Sequence, residues 1–338
     1  MKESSWRFAE WNSMVWRSAA VALLASTPAL AAGQGPLLFV SNEGSHNISV
    51  INCATNAVVE TIPLAGRARG IQASPDRKHV YVAVSDAATQ VAGTADAIVV
   101  IDVAAKRVVA TYRVGSDPEQ FAVSPDGTRL YASNEDGGTA TAIDLRSGKQ
   151  LSTFVVGIEP EGVAVSPDGR WVYVTSETSN SISVIDARSN TVVANILVDL
   201  RPRAAVVSPD GTRLFVTAEV GGTLTEIDTK TREITRTIQI EHGEGKPVGV
   251  VISPDGKRLY VASGRAGTLS VIDVATYKLI ASIVVGKRPW GVAMSRDGKY
   301  VYTVNGLSND IAVVDVTTNK VTARVKVGER PWGVAVGY

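Results

Sequence analysis

The chain has 338 residues, of which 45% are hydrophobic and 20% are charged, and its formal net charge is +1. This composition is typical of a folded globular protein and excludes a disordered chain. The near-neutral charge offers no basic field, so no nucleic-acid partner is expected. The single cysteine, Cys53, excludes an intrachain disulfide, a cysteine-based zinc site and the C-x-x-C-H motif of covalently attached heme.

An apolar run over residues 19–32 follows Arg17 near the N-terminus. It is too short to span a bilayer comfortably, and Ala29-Leu-Ala31 fits the small-residue pattern of a signal-peptide cleavage site. We therefore predict a cleaved signal peptide over residues 1–31, and a retained anchor or a buried helix is the alternative.

The mature chain is then one domain over residues 32–338, without a transmembrane segment. Its predicted location is the periplasm if the source is a Gram-negative bacterium. The start of translation stays open between Met1 and Met14, because a start at Met14 would remove the two acidic residues of the leader.

The rest of the chain repeats one pattern. A Ser-Pro-Asp turn, or its Ser-Arg-Asp variant, follows a short apolar run and precedes three alternating runs, such as Val172-Tyr-Val-Thr, Ile182-Ser-Val-Ile-Asp and Thr191-Val-Val-Ala-Asn-Ile. The turns begin at Ser74, Ser124, Ser166, Ser208, Ser253 and Ser295. Alternating β-branched and aromatic residues predict strands, so each repeat of about 42 residues is four antiparallel strands, which is typical of a β-propeller blade.

Counting the repeats predicts an all-β, seven-bladed β-propeller. The second-strand pattern occurs seven times, from Leu38-Phe-Val-Ser to Val301-Tyr-Thr-Val, and the chain ends on a lone first strand, Pro331-Trp-Gly-Val-Ala-Val. The C-terminal strand should therefore complete the N-terminal three-stranded blade and close the ring. Removing residues 329–338 should open it.

These repeats resemble the YVTN family of β-propellers, and the resemblance covers residues 36–338. The opening segment, Leu38 to Ile51, together with the leader and the seven repeats, is similar to exported propellers associated with alcohol catabolism that depends on pyrroloquinoline quinone (PQQ). The resemblance implies an accessory role. We expect no cofactor in this chain itself, and direct contact with PQQ stays open. The resemblance also implies a periplasmic dehydrogenase, cytochrome or transporter component as the partner, through which PQQ could be involved.

The loops that precede the first strands should surround one end of the central channel, where propeller sites usually form. Their candidate binding residues are Arg67, Arg69, Asp117, Glu119, Glu159, Glu161, Arg201, Arg203, Arg288, Trp290, Arg330 and Trp332. Counting the repeats along the sequence places the acidic pairs, Asp117 with Glu119 and Glu159 with Glu161, in blades two and three. Two adjacent Arg-Pro-Trp loops suit a carboxylate, a phosphate or a flat ring. The alternative is a tryptophan plug with arginines that are solvated or paired with the acidic residues.

Other candidates are weaker. The turn after the second strand carries Glu43, Glu135, Glu177 and Glu219, which could hold a cation such as calcium or could be a solvated or arginine-paired rim. Blade two has an insertion over residues 85–97, either a binding loop or a tolerated insertion. No histidine has a partner at ligand spacing, and no catalytic residue is predicted.

Three functions remain open. The first is a non-catalytic binding or accessory protein of a PQQ-dependent system. The second is a propeller enzyme, either a lactonase-like hydrolase or a subunit of a quinoprotein dehydrogenase. The third is an interaction repeat of the cell envelope or surface.

Overall fold

The computed structural model describes residues 35–85 and 96–337. The chain divides into Met1–Gly33 and Gln34–Tyr338, and all described residues belong to the second unit. The predicted signal peptide, both candidate start residues and most of the blade-two insertion lie outside the described residues. The described part of the chain contains no helix long and apolar enough to cross a membrane.

Seven four-stranded sheets make up the described chain, with one short 3₁₀ helix at Glu241–Gly243. Blade one contains β28 (Pro331–Gly337), β1 (Leu37–Asn42), β2 (Asn47–Asn52) and β3 (Ala57–Pro63). Blade two contains β4 (Arg67–Ala73), β5 (His79–Ser85), β6 (Ala97–Asp102) and β7 (Arg107–Arg113). Blade three contains β8 (Pro118–Val123), β9 (Arg129–Asn134), β10 (Thr139–Asp144) and β11 (Gln150–Val155).

The remaining four blades follow the same order. Blade four contains β12 (Pro160–Val165), β13 (Trp171–Ser176), β14 (Ser181–Asp186) and β15 (Thr191–Leu197). Blade five contains β16 (Pro202–Val207), β17 (Arg213–Ala218), β18 (Thr223–Asp228) and β19 (Ile234–Gln239). Blade six contains β20 (Pro247–Ile252), β21 (Arg258–Ser263), β22 (Thr268–Asp273) and β23 (Leu279–Val284). Blade seven contains β24 (Pro289–Met294), β25 (Tyr300–Asn305), β26 (Asp310–Asp315) and β27 (Lys320–Lys326).

The predicted fold class is confirmed: the protein is a seven-bladed β-propeller with antiparallel blades. The second and third strands of each blade are almost wholly buried, whereas fourth strands such as β3 are mostly exposed. The hydrophobic core lies between neighbouring blades; Tyr173 of β13, for example, packs in one cluster with Leu214 and Val216 of β17. Each blade therefore needs its neighbour to bury its apolar face.

The ring closes as predicted, with the C-terminal strand completing the first blade. β28 pairs antiparallel with β1, and the register sets Leu37 opposite Gly337 and Val40 opposite Val334. Val334 and Val336 are buried in the same cluster as Leu38. Closure removes the free edges that an open ring would expose.

The Ser-x-Asp turns act structurally, as their recurrence suggests. In blade five, Ser208 Oγ donates to Asp210 Oδ1, which also accepts from the backbone N–H of Thr212 at 3.0 Å. These hydrogen bonds to the ionised carboxylate, led by that from Ser208, lower the pKa of Asp210 to about 2. The turn fixes the connection between the first and second strands and thereby the start of β17.

Candidate functional site

Three positions of the repeat lie at one end of the channel, which we call the mouth; the turn position of blade two is outside the described residues. The first is the residue just before the first strand or at its start (the rim position). The second lies two residues further along (the inner position). The third begins the turn after the second strand (the turn position). Backbone hydrogen bonds join rim and turn positions: Glu219 N–H donates to Arg201 O at 2.8 Å, and Gly306 N–H donates to Arg288 O at 2.9 Å.

The three positions carry different residues around the ring. Rim positions are Arg67, Asp117, Glu159, Arg201, Lys246, Arg288 and Arg330; inner positions are Arg69, Glu119, Glu161, Arg203, Val248, Trp290 and Trp332. Turn positions in the described chain are Glu43, Glu135, Glu177, Glu219, Gly264 and Gly306. The acidic pairs lie in blades three and four, not two and three as the sequence count placed them, because Arg67–Ala73 already forms the first strand of blade two.

Six rim residues adopt a left-handed backbone conformation immediately before a proline. Their φ angles lie between 48° and 61°, and the residues are Asp117, Glu159, Arg201, Lys246, Arg288 and Arg330. Non-glycine residues seldom adopt this region, and such strain concentrates where a side chain must point in a required direction. The repeat therefore holds its charged rim residue in this conformation in six of the seven blades.

The arginines of blade two are paired with carboxylates from blades one and three. Arg67 Nη2 lies 2.8 Å from Asp117 Oδ1. Arg69 contacts the fully buried Glu119, and it lies 3.5 Å from Glu43 and 3.7 Å from Glu135. The positive charges of these arginines are thus already matched.

The arginines of blade five are paired in the same way. Arg203 is 7% exposed and contacts Glu177 directly, and it lies 3.2 Å from Glu161 and 2.7 Å from Glu219. Arg201 Nε lies 2.6 Å from Glu177 Oε2. We call blades two to five, together with Glu43 of blade one, the paired half of the mouth.

Burial opposes ionisation of two carboxyl groups in the paired half, those of Glu135 and Glu161. Desolvation is the largest influence on Glu161 and Glu135, and it raises the pKa of both above the ordinary glutamate value. Arg203 beside Glu161, and Arg69 beside Glu135, counteract that effect by favouring the charged forms. The charged form of each of these two carboxyl groups therefore depends on its arginine.

The weak metal candidates do not form one ligand set. Glu43 and Glu135 face Arg69, whereas Glu177 and Glu219 face Arg201 and Arg203. The described carboxylates that converge most closely are Asp117, Glu119 and Glu135, whose ligand atoms lie within 4.8 Å of one another. Arg67 and Arg69 already contact this group, so its negative charge is compensated within the protein.

The other mouth residues of blades six, seven and one differ, and we call them the open half. Among the described residues, no carboxylate oxygen lies within ion-pair distance of Arg288 or Arg330, and both side chains are exposed. Arg288 stacks over the Trp290 ring at 4.8 Å. Trp290 and Trp332 contact each other with ring centroids 6.1 Å apart. The predicted Arg-Pro-Trp loops are therefore adjacent, and within the described chain their arginines have no carboxylate partner.

A cavity of about 380 Å³ occupies the mouth and touches both halves. Its open-half lining is Arg288, Trp290, Gly306, Leu307, Arg330, Pro331 and Trp332. This volume lies within the range of small-molecule sites. Of the predicted residues, Arg67, Asp117, Glu159 and Glu219 lie at the mouth but outside the cavity lining.

The sequence reasoning missed Lys246, Leu307 and the turn glycines Gly264 and Gly306. Lys246 adds a third rim cation to the open half, where its Nζ donates to Val220 O at 3.2 Å. A signal for the glycines was present, because aligning the repeats shows glutamate at the turn position in blades one, three, four and five but glycine in blades six and seven.

Two protein families match parts of the chain. The cytochrome D1 heme domain family matches residues 209–331, and the family described as lactonase, 7-bladed beta-propeller, matches residues 144–248. Each match covers less than half of the chain. No curated protein sequence matches it.

The heme-domain match raises the question of whether the mouth suits a heme. The side chains that ligate heme iron in proteins are histidine, cysteine, methionine and tyrosine. None of these is among the residues that line the mouth cavity, all of which are in the described part of the chain. The residues of the mouth therefore do not fit an axially ligated heme.

Solved structures resemble the whole propeller. Hydrazine synthase of Kuenenia stuttgartiensis has a TM-score of 0.74 at 22% identity, covering 83% of this chain and 92% of that chain. A putative 6-phosphogluconolactonase from Bacteroides fragilis has a TM-score of 0.73 at 18% identity, covering 91% and 99%. A functionally unknown protein from Desulfotomaculum acetoxidans has a TM-score of 0.74 at 19% identity, covering 89% and 99%. At these identities the likeness shows the fold alone: the chain is a seven-bladed β-propeller that is similar in part to the lactonase and cytochrome D1 families.

Proposed function

We propose that this chain is a non-catalytic, exported binding protein that serves a periplasmic PQQ-dependent alcohol oxidation system. The open half of the mouth is its binding site. The observation that carries the proposal is the contrast between Arg288 and Arg330, which have no carboxylate partner in the described chain, and Arg69 and Arg203, which are paired with several. An unmatched pair of guanidinium groups beside a cavity attracts an anionic group from outside the chain.

The arrangement of the paired half also favours binding over catalysis. A general base needs a carboxylate that is free to reach a substrate. Glu161 and Glu177 are each 4% exposed and contact Arg203, while Glu119 is fully buried against Arg69. These groups act as a rigid charged wall, and the chemistry of the system belongs to the partner: a dehydrogenase, a cytochrome or a transporter component. PQQ would be held by that partner.

Affinity capture from periplasmic extract tests the proposal. The bait is the mature protein, and a variant bait carries Arg288, Trp290, Arg330 and Trp332 all changed to Ala, with its melting temperature checked. A control bait carries Arg146→Ala and Arg188→Ala, two exposed arginines outside the mouth. We expect wild type and control to retain a quinoprotein dehydrogenase, cytochrome or transporter component that the variant loses. Equal retention by all three baits would contradict binding at the mouth.

A second candidate is a lactone hydrolase, favoured by the family match over residues 144–248. That segment includes Glu161, Glu177 and Arg203. Release of acid from δ-gluconolactone by the purified protein, with and without calcium, distinguishes the two functions. The binding proposal predicts no release above the buffer rate. Turnover that is lost in Glu177→Gln would replace it with the hydrolase.

A further inference from the structure

We propose that the open half binds a small organic carboxylate, with the anionic group between Arg288 and Arg330 and an apolar part against Trp332, Pro331 and Leu307. This inference rests on the proposed function, because it uses the same site. It adds the chemical class of the ligand.

The cations of the open half are positioned for an anion that the chain does not supply. Arg288 and Arg330 occupy equivalent rim positions in adjacent blades, both with left-handed backbones, at φ 52° and 48°. Stacking over Trp290 holds the Arg288 guanidinium in place. A planar guanidinium matches a carboxylate through two parallel hydrogen bonds, and restriction of its side chain before binding reduces the entropy lost.

The cavity beside these cations is apolar on the same side. Trp332 is 6% exposed and presents only part of its ring, while Leu307 is 66% exposed. Pro331 and Trp290 complete this side of the lining. Such a surface stabilises a bound anion that carries apolar groups, because those groups are buried against it. Inorganic phosphate has no apolar group and would interact only with the arginines.

Comparison of blade seven with blade five indicates which chemical group would fill the site. In blade five the turn residue Glu219 lies 2.7 Å from the inner Arg203 and 3.6 Å from the rim Arg201. Blade seven has Gly306 at the same place, and a Cβ there would have ordinary contacts, at 3.5 Å from Pro331 O and 3.6 Å from Arg288 O. Blade seven is therefore a position where the chain omits its own carboxylate and leaves space for another, whereas Glu43, at the turn position of blade one, faces Arg67 and Arg69.

This comparison gives a sharp test. The variant Gly306→Glu should place a carboxylate beside Arg288, as Glu219 does in blade five, and should compete with the ligand. Leu279→Glu adds the same charge at an exposed position at the start of β23 and is the matched control. The probe is benzene-1,3-dicarboxylate, titrated calorimetrically into the purified protein at pH 7 and low ionic strength. The neutral dicarboxamide, succinate and inorganic phosphate are the comparison ligands.

We expect wild type and Leu279→Glu to bind the aromatic dicarboxylate with equal affinity. Gly306→Glu should bind it with an affinity lower by a factor of about ten or more, because its own carboxylate occupies the arginines. The dicarboxamide should not bind, and succinate and phosphate should bind more weakly than the probe. If Gly306→Glu does not fold, Arg288→Gln with Arg330→Gln replaces it.

Unchanged binding by the variant, or binding of phosphate as tight as that of the probe, would overturn the inference. No binding of the probe by wild type would overturn it as well. Partner capture that depends on the mouth would then still support the proposed function, because the titration uses no partner.

Discussion

Arg203 and Arg288 are both arginines at the mouth, yet their surroundings give them different roles. Arg203 is buried among Glu161, Glu177 and Glu219, whereas Arg288 is exposed and contacts an aromatic ring. Removing one partner of a buried ion pair leaves an uncompensated charge, whereas removing an exposed cation leaves none. The paired half should therefore contribute to stability and the open half to binding.

Arg203→Met should lower the free energy of unfolding by about 3–5 kcal/mol at neutral pH, because Glu161 and Glu177 lose their counter-charge. Arg288→Met, the matched control, should change it by less than about 1 kcal/mol. The pKa of Glu161 is already raised by burial, and Arg203 opposes that rise. The deficit of Arg203→Met should therefore grow as the pH rises through the raised pKa of Glu161 and shrink as the pH falls below it. Urea unfolding at pH 5 and pH 8 measures this, and a deficit independent of pH would contradict the account.

A buried hydroxyl of the second strand joins neighbouring blades directly below the mouth. In blade five, Ala204 N–H donates to Thr217 Oγ1 at 3.1 Å, and Thr217 Oγ1 donates to Val248 O of blade six at 2.5 Å. Ser133 and Thr175 bond the carbonyls of Glu161 and Arg203 in the same way. The first strand has a β-bulge here, which interrupts its backbone hydrogen bonds to the second strand. The hydroxyl bonds replace those interactions and fix the backbone at the inner position.

Thr217→Val keeps the shape of the side chain and removes the hydroxyl. We expect it to lower the free energy of unfolding by about 1–3 kcal/mol, because a buried amide and a buried carbonyl lose their partner. Thr61→Val, at an exposed position of β3, should have little effect and serves as the control. Chemical denaturation of the two variants compares them, and equal stabilities would show that the bridge contributes nothing.

Closure of the ring depends on one strand that pairs over long range. β28 supplies Trp332 to the mouth and Val334 and Val336 to the core shared with β1 and blade seven. The final strand therefore links the stability of the whole ring to the integrity of the site.

Deleting residues 329–338 should remove the cooperative thermal transition or lower its midpoint strongly, since β1 gains a free edge and the adjoining cores lose buried residues. A variant with only Tyr338 deleted is the control for shortening the chain. Differential scanning calorimetry measures both, and an unchanged melting temperature in the long deletion would contradict closure by β28.

The repeat made the fold predictable, because strand patterns such as Val172-Tyr-Val-Thr recur and a lone first strand ends the chain. The residues of the mouth were also predictable, since the repeat assigns each to the same end. Their pairing was not. Arg201 and Arg288 occupy identical repeat positions, and the turn residues of their own and of the preceding blade together decide which one meets a carboxylate. Interactions between blades depend on the curvature of the ring, which a repeat pattern does not encode.

A crystal structure of the protein with benzene-1,3-dicarboxylate tests most directly whether the open half of the mouth is a binding site. The account predicts a carboxylate within hydrogen-bond distance of Arg288 and Arg330, with the ring against Trp332 and Leu307. A ligand bound instead at the paired arginines, Arg69 or Arg203, or a mouth without ligand under saturating conditions, would contradict it.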